Sequence, residues 1–129
     1  RYTLDVLMRY SHSPELLKAL DRLRARAAQD GDRLAVDDTL AEDLAVTMPH
    51  FSAIALAANK GLLDREIILQ ARYASMRAIW SSYGSYLKQR GELLKRPLLY
   101  VDLEEFLKAN QTRYEQYARS QRGSQAQLA

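Results

Sequence analysis

The sequence predicts an all-α fold, an irregular bundle of about five helices arranged around a central long helical hairpin. Glycine (5) and proline (3) are scarce in the 129 residues, which favours long helices over strands and turns. Apolar residues recur at steps of three and four along most of the chain, and no useful length of it shows the alternation of a strand. We therefore predict one helical domain over residues 1–120 and a polar, disordered tail over residues 121–129.

The first two predicted helices are separated by a break at residues 11–14, Ser-His-Ser-Pro. Residues Tyr2–Tyr10 carry apolar side chains at helical spacing and form the end of a helix. Ser13 suits an N-cap and Pro14 suits the first helical position, so the second helix begins there. Leucines at positions 16, 17, 20 and 23 give this helix an apolar stripe, and Gly31 ends it.

The hairpin consists of two predicted helices, Leu40–Ala58 and Arg65–Gln89. Between Leu44 and Ala58 the only ionisable side chain is that of His50. A helix that is apolar nearly all round lies in a protein core or in a membrane. This uncharged run is shorter than the ~20 residues that span a bilayer, and Pro49 interrupts it, so we predict a buried core helix.

Local signals set the ends of these helices. Asp37 or Asp38 is the expected N-cap of the core helix, and Gly61 is expected to end it in the left-handed conformation. Asp64 is the expected N-cap of the long helix, whose wide apolar arc predicts contact with more than one neighbour. The last helix is expected to follow an extended segment at Pro97, with Asp102 as its N-cap.

Three features together resemble a known family. They are the segment 60–64, Lys-Gly-Leu-Leu-Asp, after a buried helix; a long helix with a lone Trp80; and the segment 96–100, Arg-Pro-Leu-Leu-Tyr, before a short helix with an acidic cap. With them the chain resembles a bacterial family of small all-helical proteins known as a domain of unknown function. The resemblance covers nearly the whole chain and implies no catalytic residues. It also implies a membrane-spanning helix ahead of the segment similar to Tyr2–Tyr10, which fits a chain that starts at Arg1.

Residue content alone argues against several kinds of catalytic and metal site. The absence of cysteine removes disulfides, thiol catalysis and zinc-cysteine sites, and it fits a reducing compartment. His12 and His50 are the only histidines, and positions 46 and 54 beside His50 are Val46 and Ile54 rather than metal ligands. No phosphate loop, dinucleotide fingerprint or nucleophile elbow occurs. We predict no catalytic residue, no bound metal and no cofactor.

Carboxylates concentrate at two predicted helix starts: Asp37, Asp38, Glu42 and Asp43 at the first, and Asp102, Glu104 and Glu105 at the second. N-capping and the helix dipole explain both groups. Glu42 or Asp43 could instead face inward, and a closed pocket that holds one of them beside His50 would indicate an enzyme.

Basic residues form two groups. Lys88, Arg90, Lys95 and Arg96 surround one loop and are the candidate patch for an anionic partner. Arg113, Arg119 and Arg122 interleave with Tyr114 and Tyr117, the combination that single-stranded nucleic-acid binding uses. The same charges are also explained if these residues are simply exposed to solvent and bind no partner, and we favour that interpretation. An anionic lipid surface would also suit them if a membrane anchor lies upstream.

Tyr73, Trp80 and Tyr83 are the candidate interface residues, because the wide apolar arc of the long helix leaves room for self-association. The functional prediction is a non-enzymatic helical module for interaction or oligomerisation, with a protein partner or a second copy. We expect it in the cytoplasm of a bacterium, tethered to the inner membrane through the upstream segment. The alternative is a helical domain that binds nucleic acid through the basic loop.

Overall fold

The computed structural model describes residues 13–30, 36–96 and 100–128, with the side chains described up to residue 124. Six helices and no strand occur in these residues, which confirms the all-α bundle. They are α1 (Pro14–Asp30), α2 (Asp38–Asn59), α3 (Arg65–Ala71), α4 (Tyr73–Leu93), α5 (Val101–Ala109) and α6 (Gln111–Leu128). The predicted helix Tyr2–Tyr10 and the predictions for His12, Gly31 and Pro97 lie outside the described residues.

Most of the predicted helix ends are confirmed. The side chain of Asp37 accepts a hydrogen bond from the Leu40 amide at 2.9 Å, and that of Asp64 accepts one from the Glu66 amide at 2.9 Å. Gly61 has φ 73° and follows the last turn of α2. The amide of Gly61 donates to Ala58 O at 3.0 Å and that of Leu62 donates to Ala57 O at 2.8 Å, the paired bonds of a Schellman motif.

Two predicted helices are divided in the structure. Arg72, with φ −134°, separates α3 from α4, and its guanidinium donates to the Ala71 carbonyl at 2.9 Å. Asn110 separates α5 from α6, and its side-chain amide donates to Phe106 O at 2.8 Å, the carbonyl that its backbone amide also bonds at 3.2 Å. In both places a side chain bonds a main-chain carbonyl where one helix ends and the next begins.

The last part of the chain differs from the prediction in two further ways. Helix α5 begins at Val101 after Tyr100, which has φ 64° and makes no side-chain cap, so Asp102 lies in the first turn and is not the N-cap. Negative charge in this turn still interacts favourably with the helix dipole. Helix α6 continues to Leu128, through the segment 121–128 for which the sequence predicts a disordered tail.

Helix α2 lies at the centre of the bundle, with α1 and α5 as its closest neighbours. The predicted inward face of this helix is confirmed, since its members are at most 4% exposed: Leu40, Leu44, Met48, Phe51, Ile54 and Ala58. Each fully buried leucine, isoleucine, methionine or phenylalanine of this face contributes about 1.5–3 kcal/mol of hydrophobic free energy. The core continues into α4 through Met76 and Ile79 and into α5 through Leu103 and Phe106.

Candidate functional site

Two of the three candidate interface residues lie in the core. Tyr73 and Tyr83 are each 1% exposed, so neither can contact a partner of the folded domain, and the interface prediction is corrected for both. The Tyr73 hydroxyl donates to the Leu107 carbonyl at 2.5 Å, and the Tyr83 hydroxyl donates to the Leu23 carbonyl at 2.6 Å. Burial raises the pKa of both phenols. These tyrosines tie α4 to α5 and to α1.

Trp80 is the third candidate and is partly exposed. Its ring lies over its own helix at Gly84, where an added Cβ would approach the ring to 3.0 Å. The ammonium group of Lys88 lies 5.9 Å from the centre of the ring. Trp80 therefore packs against its own helix and the core, and its partly exposed ring remains a candidate for contact with a partner.

Two members of the second basic and aromatic group, Arg113 and Tyr114, form internal contacts, whereas Arg119 and Arg122 are exposed. Arg113 pairs with Glu66 at 2.9 Å, and the Tyr114 ring stacks on Tyr73 with centroids 4.5 Å apart. The guanidinium of Arg77 lies 4.9 Å from the centre of the Tyr114 ring. Because Tyr114 already packs against two side chains, it is a poor platform for stacking a base.

The four residues of the basic patch have different surroundings. Lys88 pairs with Glu104 on α5 at 2.8 Å and is thereby part of the packing between α4 and α5. Arg90, Lys95 and Arg96 are exposed and form no ion pair with any residue that the structure describes. These three residues are the part of the predicted patch that is available to an anionic partner.

The patch is built on the end of α4. The amide of Lys95 donates to Glu92 O at 3.0 Å and that of Arg96 donates to Gly91 O at 2.6 Å, which is a second Schellman motif. Lys95 occupies the left-handed position with φ 56°, where glycine would avoid a cost of about 1 kcal/mol. Beside it, Leu93 is 84% exposed and Leu94 is 53% exposed. The loop thus joins two exposed leucines to three basic side chains without ion pairs.

A second exposed surface lies on α2, although the sequence predicts that this helix is buried. Five exposed residues share one side of the helix within an arc of about 100°. We call them the α2 face: Ala45, Val46, Pro49, Ala53 and Leu56. The sequence does contain a pattern that predicts this surface. It is a second stripe of apolar residues, on a different side of the helix from the inward residues. The α2 face is about 17 Å long and contains no charge.

Charged residues lie at the two ends of the same side of the helix. Asp38 and Glu42 are exposed before the α2 face, and Lys60 is exposed after it. The first end is therefore negative and the second end is positive. The helix dipole is positive at the N-terminus and negative at the C-terminus. The acidic residues at the first end and the lysine at the second end therefore also stabilise the helix.

Comparison with known protein families then assigns the chain. A family model described as Domain of unknown function (DUF4760) matches residues 1–109. The chain belongs to the DUF4760 family. Searches of curated proteins and of solved structures found no match. The α2 face and the basic loop both lie within the matched part of the DUF4760 domain, whereas α6 follows it.

The carboxylates of this DUF4760 domain are structural where they are buried. Asp43 is 4% exposed, as the sequence allowed, and Arg22 binds both its oxygens, at 2.9 Å from Nε and 2.7 Å from a terminal nitrogen. Glu42 is exposed. Among the residues that the structure describes, no three His, Asp or Glu side chains are close enough to hold a metal ion. Asp43 is the one buried carboxylate among the described residues, and it joins α1 to α2.

His50 is partly buried on α2 and lies near Arg72. Burial, with a smaller effect from the positive charge of Arg72, lowers the pKa of His50 from 6.5 to about 4. The folded DUF4760 domain therefore keeps this imidazole neutral under conditions in which the unfolded chain binds a proton.

Within the described residues, no helix of the domain is both long enough and apolar enough to cross a membrane.

We expect His50 to make the domain less stable in acid. Because its folded pKa is below its unfolded pKa, the free energy of unfolding falls as the pH drops below 6.5 and levels off below about 4. A shift of this size corresponds to about 3 kcal/mol, which solvent screening at a partly exposed ring reduces to about 1–2 kcal/mol. Urea unfolding at a series of pH values between 7 and 4 measures this loss of unfolding free energy. In His50→Gln this part of the pH dependence should vanish, and equal slopes in both proteins would contradict the assignment.

Proposed function

We propose that this domain is a non-enzymatic self-association module, in which the α2 faces of two copies pack together in a symmetric dimer. The observation that carries the proposal is an uncharged helix face left exposed on the most central helix of the bundle. Val46 is 39% and Leu56 is 38% exposed, and the small side chains of Ala45 and Ala53 on the same face allow a second helix to approach closely. A second copy supplies a face of the same chemistry.

The charges at the ends of α2 favour an antiparallel arrangement. In a two-fold symmetric pair centred near residue 51, Leu56 of one copy lies opposite Val46 of the other, and Pro49 lies opposite Ala53. The same register brings Glu42 of each copy beside Lys60 of the other. A parallel pair would instead place Glu42 against Glu42. In the antiparallel register the α2 face thus meets itself and the charges that flank it are complementary, as an isologous interface requires.

The size of the α2 face predicts a weak, reversible dimer. One helix face of about 17 Å buries less than the ~1,600 Å² of a standard interface. We therefore expect dissociation constants in the range of about 1–100 μM, as for small interfaces of transient complexes. Such a dimer would respond to local concentration, which suits a switchable assembly.

Sedimentation velocity over a concentration series tests the proposal, and exchange of charges tests the register. Glu42→Lys and Lys60→Glu should each raise the dissociation constant of the dimer about tenfold, because each change places like charges together twice. The protein with both changes should recover the wild-type dissociation constant. A wild-type protein that stays monomeric would overturn the dimer, and a double variant no tighter than the single ones would overturn the antiparallel register.

We further propose that the domain acts in the cytoplasm. The absence of cysteine from the sequence supports a reducing compartment. Attachment to the inner membrane of a bacterium through an upstream helix is part of the same proposal, supported only by the resemblance of the sequence to its family. Fractionation of cells that express the natural protein tests both points. Recovery of the protein from an oxidising compartment would contradict the proposed cytoplasmic location.

A further inference from the structure

The loop at the end of α4 combines features that the self-association of α2 does not use. Leu93 is the most exposed of the large apolar side chains of the described residues, at 84%, and Leu94 follows it at 53%. Arg90 and Arg96 both act on Tyr100, where their positive charges oppose the rise in the phenol pKa that burial causes.

We propose that this segment, Arg90–Arg96, docks on an anionic membrane surface. Leu93 and Leu94 enter the region of the lipid headgroups, and Arg90, Lys95 and Arg96 bind the lipid phosphates. Glu92 is the one acidic residue of the segment and is exposed, so the segment keeps a net charge of +2. This contact is made by the domain itself and needs no membrane-spanning helix.

The backbone of the loop suits a poorly hydrated environment. Three carbonyls at the end of α4 have partners within the loop, since Arg90 O, Gly91 O and Glu92 O accept from the amides of Leu94, Arg96 and Lys95. Unsatisfied carbonyls at a helix end would resist entry into the headgroup region. The Schellman motif reduces this penalty and leaves both leucines exposed.

The leucines also distinguish the membrane from the other anionic partner considered above. Nucleic acid is bound through phosphate contacts and base stacking, and adjacent exposed leucines serve neither. The position of Lys95 adds a second argument. A lysine held at a left-handed φ of 56° costs stability that glycine would avoid, and its charge at the membrane accounts for a lysine there.

Co-sedimentation with vesicles tests the proposal, with phosphatidylglycerol mixed into phosphatidylcholine and with phosphatidylcholine alone. Wild-type protein should bind the mixed vesicles only, and less at high salt. Leu93→Ser/Leu94→Ser should weaken binding at least about tenfold at constant charge. Leu62→Ser is the matched control, because Leu62 is 65% exposed beside the other Schellman motif, and it should bind as the wild type does.

Charge variants complete the experiment. Lys95→Glu/Arg96→Glu should abolish binding, whereas Arg119→Glu/Arg122→Glu, with the same change in net charge, should retain it. Lys95→Gly should weaken binding about fivefold and at the same time raise the urea midpoint of unfolding. Vesicle binding that survives loss of both leucines, or falls equally with either pair of charge reversals, would overturn the proposal. So would binding of a single-stranded oligonucleotide at this loop without any binding to vesicles.

Discussion

Replacing Ala53 by glutamate should convert the dimer into a folded monomer. Ala53 lies near the middle of the α2 face, so the symmetric dimer would bury two carboxylates close to each other in an apolar contact. Buried unpaired charge and like-charge repulsion each cost several kcal/mol, and we expect the dissociation constant to rise at least about 100-fold. Sedimentation velocity at matched concentrations measures this change.

The control for this substitution is Ala78→Glu on α4. Ala78 is also an exposed alanine within a helix, and it lies outside the α2 face. This variant should dimerise as the wild type does, with the same circular dichroism spectrum as Ala53→Glu. Equal loss of the dimer in both variants would show that added negative charge, and not the α2 face, causes the effect.

Replacing Phe51 by alanine should have the largest effect on the stability of the monomer. Phe51 is 0% exposed and packs on the inward side of the same helix. Loss of a buried aromatic ring leaves a cavity and lowers the free energy of unfolding by about 4 kcal/mol. Urea unfolding measures it best in the Ala53→Glu background, because a dimer would add concentration-dependent stability.

Leu56→Ala in the same background separates the two sides of α2. Leu56 is 38% exposed, so its truncation should cost the monomer less than about 1 kcal/mol. In the otherwise wild-type protein it should weaken the dimer. If Leu56→Ala destabilised the monomer as much as Phe51→Ala does, the α2 face would belong to the core and could not serve as an interface.

Helix ends are the features that the sequence predicts best, because they depend on neighbouring residues only. Gly61 takes the left-handed conformation and Asp64 caps the next helix, both as expected. The inward stripe of α2 from Leu40 to Ala58 is equally predictable, since its spacing follows from helical geometry. The all-α fold follows from these local signals together.

Features that depend on tertiary contacts are less predictable. The break at Arg72 contains neither glycine nor proline, and the guanidinium of Arg72 bonds the main chain there. Tyr73 and Tyr83 have hydroxyls that find carbonyl partners on other helices, which no local pattern reveals. Both residues are therefore part of the core, although the sequence predicted them as interface residues.

The two candidate surfaces show the same limit. The lack of charge in α2 predicts burial, yet five small or apolar side chains remain exposed because α1 and α5 cover only part of the helix. The basic loop was predicted from charge alone, whereas its exposed leucines were not, since Leu93 and Leu94 continue the apolar pattern of α4. Exposure of an apolar residue depends on which neighbours are absent.

Spin labels on α2 test the antiparallel dimer most directly. The sequence contains no cysteine, so Ala53→Cys and Lys60→Cys each give one labelled position per chain. Labels at position 53 should lie close enough to broaden the spectrum, while labels at position 60 should be separated by about 27 Å along the helix axis. Dilution should remove both couplings. Close labels at both positions would indicate a parallel pair, and no coupling at position 53 at high concentration would contradict self-association through α2.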